Sequence, residues 1–128
     1  MKYLCSLILL VVLSAHASAE CYIASEFVGS SARAESSFQL QSDRMSGQVY
    51  KIEISEKSSS VSPSNMTCIP AGKSTTACIS VTDDGKSVVE AWAVHPAEGK
   101  VTYTKAINGY AEFDGGNLLI GKIIGRCD

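Results

Sequence analysis

The sequence predicts an all-β protein, a small antiparallel β-barrel or sandwich of about seven to nine strands stapled by two disulfides. Apolar and polar residues alternate with a period of two in several segments, as half-buried strands require. Two turn-favouring dipeptides, Asp84-Gly85 and Asn108-Gly109, lie between such segments and predict a hairpin meander in the C-terminal half. Four cysteines outside the first residues fit a disulfide framework.

Residues 1–19 are typical of a secretory signal peptide. They have a basic start at Lys2, an apolar run over residues 4–13 and small residues directly before Glu20. The run is roughly half as long as the ~20 residues of a membrane-spanning helix, so an uncleaved anchor is the weaker interpretation. We expect cleavage before Glu20 and a single β domain over residues 20–128.

The first half of this domain is predicted to hold three strands between irregular segments. Residues 21–29 are predicted as the opening strand, and alternation predicts strands at 36–42 and 48–55. Residues 30–37 are predicted as a loop or a single helical turn, because the segment is too short to hold a helix alone. The serine-rich residues 57–65 are predicted as a mobile surface loop.

Five further strands are predicted in the C-terminal half, at residues 75–82, 86–95, 100–107, 109–114 and 117–126. Each connection between them is too short for a parallel crossover, so the strands are predicted to pair in antiparallel fashion. The first and last strands of the domain are expected to be neighbours, which makes a barrel or a sandwich the natural architecture.

The predicted domain has four cysteines, Cys21, Cys68, Cys78 and Cys127. Three pairings are possible, and we favour Cys68 with Cys78, which closes a short loop, and Cys21 with Cys127, which ties the domain's ends together. Zinc ligation is less favoured because no Cys-x-x-Cys pair occurs. Disulfides predict a periplasmic or secreted location. Glu20 directly before Cys21 does not fit a bacterial lipoprotein, so no lipid anchor is expected.

Between two of these cysteines, Gly72-Lys73-Ser74-Thr75 spells the end of a nucleotide-binding loop. The full motif needs glycine at position 67, where this chain has Thr67, and a helix directly after the loop, where the sequence is strand-like. We therefore interpret the segment as a polar hairpin loop made rigid by a disulfide. Lys73, Ser74 and Thr75 are candidates for contact with a partner, because binding residues concentrate on such loops.

Catalytic groups are scarce in the predicted domain. Its single histidine, His95, precedes Pro96 at a predicted strand end, and its cysteines are expected in disulfides, which leaves no thiol nucleophile. Glu90, Glu112 and Asp114 would supply a hydrolytic carboxylate pair if their strands were neighbours, and parity puts Glu112 and Asp114 on one face. Alternating charges are ordinary on the wet face of a sheet. We predict no enzyme activity, no cofactor and no metal site.

Trp92 is the only tryptophan of the sequence and lies in a predicted strand. Parity places Glu90, Trp92 and Val94 on one face and Val89 and Ala91 on the other, so both faces carry apolar groups. Trp92 is predicted as a core residue, with a surface anchor for a binding partner as the alternative.

Two short fragments resemble known motifs. Residues 46–50, SGQVY, and residues 103–105, YTK, resemble pieces of the two motifs of bacterial periplasmic inhibitors of C-type lysozymes, which are small disulfide-bearing β-barrels. In that family the motifs lie close together and the second ends in glycine. Here about fifty residues separate them and Ala106 follows Lys105, so membership is not assigned.

The net charge of the predicted domain disfavours two classes of binding partner. Without residues 1–19 the chain has 10 basic and 13 acidic residues, a net charge of −3, which predicts neither nucleic acid nor an anionic membrane as a partner. We expect an exported, disulfide-stabilised binding module that acts on a protein or another envelope or extracellular macromolecule, as an inhibitor or immunity-type protein. The alternative is a small-ligand carrier in a β-barrel cavity, and a carboxylate-dependent hydrolase is the third hypothesis.

Overall fold

The computed structural model describes residues 19–127 and shows an all-β fold. The predicted signal peptide therefore lies outside the described residues, apart from Ala19. Consecutive strands pair in antiparallel fashion, except β3 with β4, and β1 also pairs with β8, which gives one sheet of eight strands. The strands are β1 (Glu20–Arg33), β2 (Gln41–Ile54), β3 (Ser59–Ser62), β4 (Thr67–Pro70), β5 (Thr75–Val81), β6 (Ser87–His95), β7 (Lys100–Asn108) and β8 (Gly115–Arg126).

The sheet curls into a nearly closed up-and-down barrel. Its one seam lies between the short strands β3 and β4, where hydrogen-bonded pairing stops. The Ser59 and Thr76 hydroxyls, 2.6 Å apart, form a hydrogen bond across this seam, and Thr76 Oγ1 also donates to the Ile69 carbonyl at 3.1 Å. Of the two predicted architectures, the structure has the barrel. Closure leaves few free strand edges, which protects a β protein from edge-to-edge association.

Up-and-down connectivity gives the barrel two distinct ends. The start of β1, the end of β8 and the turns at residues 55–58, 71–74 and 96–99 lie at one end, which we call the disulfide end. The other end, which we call the mouth, carries four connections: residues 34–40, 63–66, 82–86 and 109–114. Two single-turn 3-10 helices, Ala34–Ser36 and Ala111–Phe113, lie at the mouth.

The core is built by the predicted alternation of side chains. On β2, Ile52 and Ile54 are buried while Lys51 and Glu53 face outward and form an ion pair. The other strands follow the same period of two. The fully or nearly fully buried apolar side chains are Tyr22, Ala24, Phe27, Ile52, Ile54, Val61, Cys78, Trp92, Val94, Val101, Tyr103 and Leu119.

A bulge in β1 keeps Phe27 inside the barrel. The register of β1 against β2 shifts between Ser25 and Phe27, and Glu26 between them has a positive φ of 56°. The extra residue bends the strand, as bulges do, and turns Phe27 towards Gly121 on β8. A Cβ atom on Gly121 would lie 2.6 Å from the Phe27 ring, so only glycine leaves room for that ring.

Both favoured disulfides are confirmed. Cys21 and Cys127 join the first and last strands, with Cα atoms 5.2 Å apart and a sequence separation of 106. Cys68 and Cys78 stand opposite each other on β4 and β5, with Cα atoms 4.0 Å apart. The Cys78 side chain is fully buried, so this disulfide belongs to the barrel wall as well as to the hairpin.

Four segment predictions need correction. Residues 109–114 form a turn with a 3-10 helix and not a strand. In residues 36–42 the alternation is misleading, because Phe38 and Leu40 are exposed and β2 begins only at Gln41. The predicted mobile loop 57–65 contains β3, whose Val61 is 2 % exposed. Of residues 30–37, the first four continue β1, and the helical turn is confirmed over Ala34–Ser36.

Candidate functional site

A row of polar side chains crosses the inner face of the barrel towards the mouth. Antiparallel register places Ser31, Asn117, Lys105, Glu90 and Cys78 opposite one another on five neighbouring strands. Because Glu90 and Cys78 are buried and directly opposed residues share a face, the whole row faces the interior. Such a concentration of polar groups in a barrel interior is costly unless they bond to one another or to a bound molecule.

Glu90 is the charged centre of this row, with 7 % of its surface exposed. Trp92 Nε1 donates to Glu90 Oε2 at 3.1 Å, and Lys105 Nζ lies 3.7 Å from Glu90 Oε1. A buried carboxylate is tolerated where its charge is paired and its oxygens accept hydrogen bonds. These two contacts meet both requirements and fix the orientation of the carboxylate.

Aromatic rings form the wall below the carboxylate. Trp92 contacts Tyr103 at a centroid distance of 4.1 Å and Tyr50 at 4.9 Å. Phe27 packs its edge against Trp92, with 5.6 Å between ring centroids. Edge-to-face and tilted contacts of this kind add to the burial of the rings, so the wall is a rigid one.

The pKa values of both tyrosines in this wall, Tyr50 and Tyr103, are raised. Burial raises the pKa of Tyr103 far above its ordinary value of 10.0, the neighbouring Glu90 carboxylate raises it further, and the Arg33 guanidinium acts in the opposite direction. Burial and Glu90 also raise the pKa of Tyr50. The two phenols therefore remain neutral at physiological pH, and the Tyr50 hydroxyl donates to Met45 Sδ at 3.3 Å.

These groups surround a cavity of about 260 Å³. Tyr50, Glu90, Trp92 and Tyr103 form its inner walls, and Lys105 stands at its side. The remaining lining residues are Met45 on β2 and Pro63 and Ser64 in the β3–β4 loop. The cavity is smaller than the ~300–1,000 Å³ typical of sites for drug-sized ligands, so it suits a small molecule.

Two further polar groups on the inner face lack partners. Arg33 ends β1 two residues beyond Ser31, and its Nη1 atom is buried. Asn117 belongs to the polar row, and its Oδ1 atom is also buried. Within residues 19–127 neither atom has a hydrogen bond. The direct partner of Arg33 on β8 is Gly115, which makes Arg33 a diagonal neighbour of Asn117. An unpaired donor and an unpaired acceptor therefore lie on adjacent strands.

The structure separates the predicted contact residues. Lys73 is exposed in the β4–β5 turn at the disulfide end, beside a surface cleft of about 490 Å³ that Glu20 also lines. Ser74 Oγ donates to Glu20 Oε2 at 3.2 Å, and Thr75 begins β5. Trp92 is 2 % exposed inside the barrel, which is the core position predicted for it and no surface anchor. The turn and Trp92 therefore do not form one surface.

The predicted carboxylate set is also divided. Glu90 lies inside the barrel, whereas Glu112 is exposed in the 3-10 helix at the mouth. Asp114 Oδ1 accepts the Tyr110 N–H at 2.6 Å and stabilises that turn. The shared face predicted for Glu112 and Asp114 is wrong, because strand parity does not apply to a 3-10 turn. His95 is half-buried and shares a hydrogen bond with Thr102 Oγ1 at 3.1 Å.

Sequence reasoning missed most of the cavity. Tyr50 and Tyr103 lie in two predicted strands, but nothing local showed that their side chains meet. Lys105 and Asn117 stand directly opposite each other, and this pairing depends on the β7–β8 register. One signal was present: residues 46–50 and 103–105, singled out as fragments of known motifs, contribute Tyr50, Tyr103 and Lys105 to the same cavity.

The outer face of β4–β8 carries an uncharged area of exposed apolar side chains. On it, Ile69, Ile79, Val81, Val89, Leu118 and Ile120 are exposed, with alanines and threonines between them. We call these six residues and their small neighbours the outer patch. The nearest basic side chains on this face, Lys100 and Lys122, lie opposite each other towards the disulfide end.

Residues 19–127 contain no group of three or more acidic, histidine or cysteine residues placed to hold a metal ion. The same part of the chain has no helix of sufficient length and apolar character to cross a membrane. No protein-family model, curated protein or solved structure matches this sequence. What can be said of its function rests on the barrel, its two disulfides and the cavity around Glu90.

Proposed function

We propose that the protein is a binding protein that holds a small molecule in the cavity at the mouth of its barrel. The observation that carries this proposal is the pair Glu90 and Lys105, which lines the cavity on the inner face, where a folded protein ordinarily places apolar side chains. Polar groups inside a small barrel lower stability unless they bond to one another or to a bound molecule, and a function in ligand binding accounts for their presence.

The chemistry of the cavity favours binding over catalysis. Glu90 is held by Trp92 and Lys105, and no second carboxylate lines the cavity among the described residues, so a two-carboxylate hydrolytic site is not assembled. Rigid aromatic walls with a few fixed polar groups are the usual construction of a ligand site. An eight-stranded barrel has an interior of the right width for one small ligand.

Native mass spectrometry of freshly purified protein tests this function. We expect a reproducible small-molecule mass on the wild-type protein. Ser64→Phe places a ring at the cavity lining and should abolish the bound mass, whereas Ser60→Phe, on the outward face of β3, should retain it. Absence of any bound mass from wild-type protein under native conditions, or its persistence in the Ser64→Phe variant, would refute the proposal.

We also propose that the protein is exported by cleavage of residues 1–19. The two disulfides are consistent with an extracellular or periplasmic location, since such bonds persist in oxidising compartments. The intact mass of the protein from its native host, measured with and without reduction, tests this directly. A chain that begins at Glu20 and gains four hydrogens on reduction is expected; a retained Met1 would contradict export by cleavage.

A second candidate function, an inhibitor or immunity-type protein that binds another protein, is favoured by the outer patch. Exposed apolar patches of this kind commonly mark protein–protein contacts. Because the patch carries no charge, its partner would present an apolar surface. Sheets with small side chains at their centre allow such a surface to approach closely.

Matched variants test this second candidate. Val89→Lys puts a charge at the centre of the outer patch, and Val49→Lys puts the same charge on an exposed position of β2 outside it. Affinity capture from envelope extracts should yield one protein that is lost with Val89→Lys and kept with Val49→Lys. Equal capture by both variants, or none by the wild type, would exclude the patch as the contact surface.

A further inference from the structure

Charges of opposite sign lie at the two ends of the outer patch. Asp83 is exposed in the turn that follows Val81, at the mouth end of the patch. Lys100 and Lys122 stand opposite each other towards the disulfide end. Between these ends, the outward positions of β5–β8 form four successive rows without a charged residue. The patch is therefore an uncharged face between an acidic end and a basic end.

Two of these charges have no ion-pair partner in the part of the chain that the structure describes. Lys122 pairs with Glu26 at 3.0 Å, and Asp84 pairs with Lys86 at 3.5 Å. Neither Asp83 nor Lys100 forms such a pair within the described residues. Each end of the patch thus presents one unpaired charge, and the two charges are of opposite sign.

The two unpaired charges lie at equal distances from the middle of the patch. Strand register sets Cys78, Glu90 and Lys105 in one row across β5–β7. Asp83 follows Cys78 by five positions, and Lys100 precedes Lys105 by five positions. A two-fold axis that lies over this row and crosses the strands therefore exchanges the level of Asp83 with that of Lys100.

A second copy of this chain fits these charges in one orientation. Two copies packed face to face by the same patch are related by an axis that lies in the contact plane. An axis along the strands would bring like charges together at each end. An axis across the strands places the mouth end of each copy on the disulfide end of the other, so that Asp83 faces Lys100 twice. The lateral offset between the β5–β6 turn and β7 is about 5–7 Å, which a lysine side chain spans.

The side chains of the patch also suit contact with a copy of itself. The central strands β6 and β7 have mostly small outward residues, among them Ala91, Ala93 and Ala106. The strands at either side, β5 and β8, carry the exposed Ile79 and Leu118. Because a barrel wall is convex, larger side chains on the flanking strands offset its curvature and flatten the face. Sheets with such faces pack about 10 Å apart, with strand directions within about 30°.

The area of the patch sets the expected strength of this contact. Strands lie about 4.8 Å apart and outward rows about 6.8 Å apart, so β4–β8 between the two charged ends covers roughly 600–700 Å². Each partner buries roughly 600–1,000 Å² in a specific interface of standard size. The patch is at the low end of this range, and we expect a reversible dimer with a dissociation constant on the order of micromolar.

We propose that the outer patch binds a second copy of this chain, with the strands of the two copies antiparallel and Asp83 of each copy paired with Lys100 of the other. The uncharged apolar surface that the patch requires of its partner is the one that the patch itself presents. This inference goes beyond the small-ligand function and does not depend on the cavity. It is an alternative to a different protein on the same surface, because one patch cannot hold both at once.

Sedimentation velocity over a concentration series of about 1–500 µM, with the disulfides intact, tests the proposal. We expect the wild-type mass to rise from that of a monomer to that of a dimer. Val89→Lys brings one charge from each copy to the centre of the contact and should weaken dimerisation roughly tenfold or more. Val49→Lys puts the same charge on an exposed position of β2 outside the patch and should leave dimerisation unchanged.

Charge reversal at the two ends tests the orientation. Asp83→Lys and Lys100→Asp each bring like charges together and should weaken dimerisation about three- to tenfold. The double variant Asp83→Lys/Lys100→Asp exchanges the two charges and should regain wild-type dimerisation. With an axis along the strands, neither single variant would remove an attraction and the double variant would restore nothing.

Wild-type protein that stays monomeric at about 500 µM would overturn the proposal, since the patch area predicts association well below that concentration. Equal dimerisation of Val89→Lys and wild type would exclude the patch as the contact. Weak dimerisation that persists in the double charge variant would overturn the pairing of Asp83 with Lys100. Capture of one envelope protein through the patch by a monomeric wild type would assign the surface to a different partner. The wild-type concentration series decides the matter even if a variant folds poorly.

Discussion

A single residue, Glu90, explains why the interior of this barrel is organised as it is. Its carboxylate accepts from the Trp92 indole and faces Lys105, so two side chains on two strands depend on one buried charge. Removing one member of such a group leaves its partners uncompensated, which costs more than the pair itself contributes. Polar networks of this kind fix a unique arrangement of the side chains around them.

Strand parity predicted that Glu90, Trp92 and Val94 share a face of β6, and the structure confirms it. It did not decide whether that face is the inner one, because Val89, Ala91 and Ala93 make the opposite face apolar as well. The inner face of β6 is determined by the packing of Trp92 against Phe27 and Tyr103. These residues lie on other strands, so the sequence pattern of β6 alone does not contain this information.

Alkaline pH should destabilise the protein through Tyr103. Its pKa is raised in the folded state from 10.0, so the folded protein binds the phenolic proton more tightly than the unfolded chain does. The resulting stabilisation is fully present below pH 10.0 and is lost as the pH rises through the folded-state pKa. We expect the free energy of unfolding to fall by about 1.4 kcal/mol for each pH unit above 10 from this group.

Tyr103→Phe tests this effect in urea unfolding experiments at a series of pH values. The side chain of phenylalanine has no ionisable proton. The variant should therefore lose less stability above pH 10 than the wild type does. Tyr110→Phe, at a half-buried tyrosine in the mouth, serves as the control. An identical alkaline decline in Tyr103→Phe and wild-type protein would show that burial of this phenol does not govern it.

At the scale of the elements, the strands were predictable wherever alternation coincided with burial. On β7 the apolar positions face the core, and this strand was predicted to within one residue, whereas only the second half of β2 was predicted, at residues 48–55. Phe38 and Leu40 alternate just as well, yet Phe38 has a positive φ of 58° and both residues are exposed in a turn. Periodicity records which side chains are apolar and does not show that a neighbouring strand exists to cover them.

The opposite error occurred at β3, where serine-rich composition hid a strand. Only Val61 faces the core there, so four residues supplied too little alternation to be recognised. The strand exists because its backbone pairs with β2, at Lys51 to Ile54, and because Ser59 bonds across the seam to Thr76. Tertiary context thus decides the structure of a segment whose local preference is weak.

A glycine on β8 should show how tightly the barrel wall is packed. Gly121→Ala introduces a Cβ atom 2.6 Å from the Phe27 ring, and we expect it to lower the free energy of unfolding by about 1–3 kcal/mol. Gly125→Ala, four residues along the same strand, has no atom within 4 Å of the added carbon. It should be neutral or stabilise by up to about 1 kcal/mol, because alanine restricts the unfolded chain.

Chemical unfolding of the two variants and the wild type measures the difference. The Trp92 emission should report displacement of Phe27 in Gly121→Ala and remain unchanged in Gly125→Ala, since Trp92 packs on that ring. If both variants had equal stability, the close packing of Phe27 on Gly121 would not hold in solution.

At the scale of the whole molecule, the antiparallel meander was predictable, and the choice between barrel and sandwich was not. A meander needs only short connections between consecutive strands. Closure into a barrel depends on one pairing between the first and last strands of the chain, β1 with β8, and on the seam at β3 and β4. The cysteine pairing anticipated the β1–β8 contact, because joining Cys21 to Cys127 requires those strands to meet.

The long disulfide should stabilise the barrel mainly by restricting the unfolded chain. Cys21–Cys127 spans 106 residues and Cys68–Cys78 spans 10. In the chain-entropy model a ring of about a hundred residues contributes up to about 5 kcal/mol. Replacing Cys21 and Cys127 by alanine should therefore lower the free energy of unfolding by about 4–5 kcal/mol. The dependence of that free energy on urea should increase, because the unfolded chain without the disulfide exposes more surface.

The short disulfide provides the comparison in the same urea experiment. Replacing Cys68 and Cys78 by alanine removes a small ring and also the buried Cys78 sulfur, so this variant should lose stability without much change in its dependence on urea. The dependence of the unfolding free energy on urea distinguishes a less restricted unfolded chain from a lost contact in the folded protein. Only the first cause increases it, since a lost native contact does not expand the unfolded chain. An equal increase in both variants would contradict the assignment of the long disulfide to the unfolded state.

A barrel that is closed through β1 and β8 should retain its strand content in both variants, because the backbone pairing of those strands does not require the covalent link.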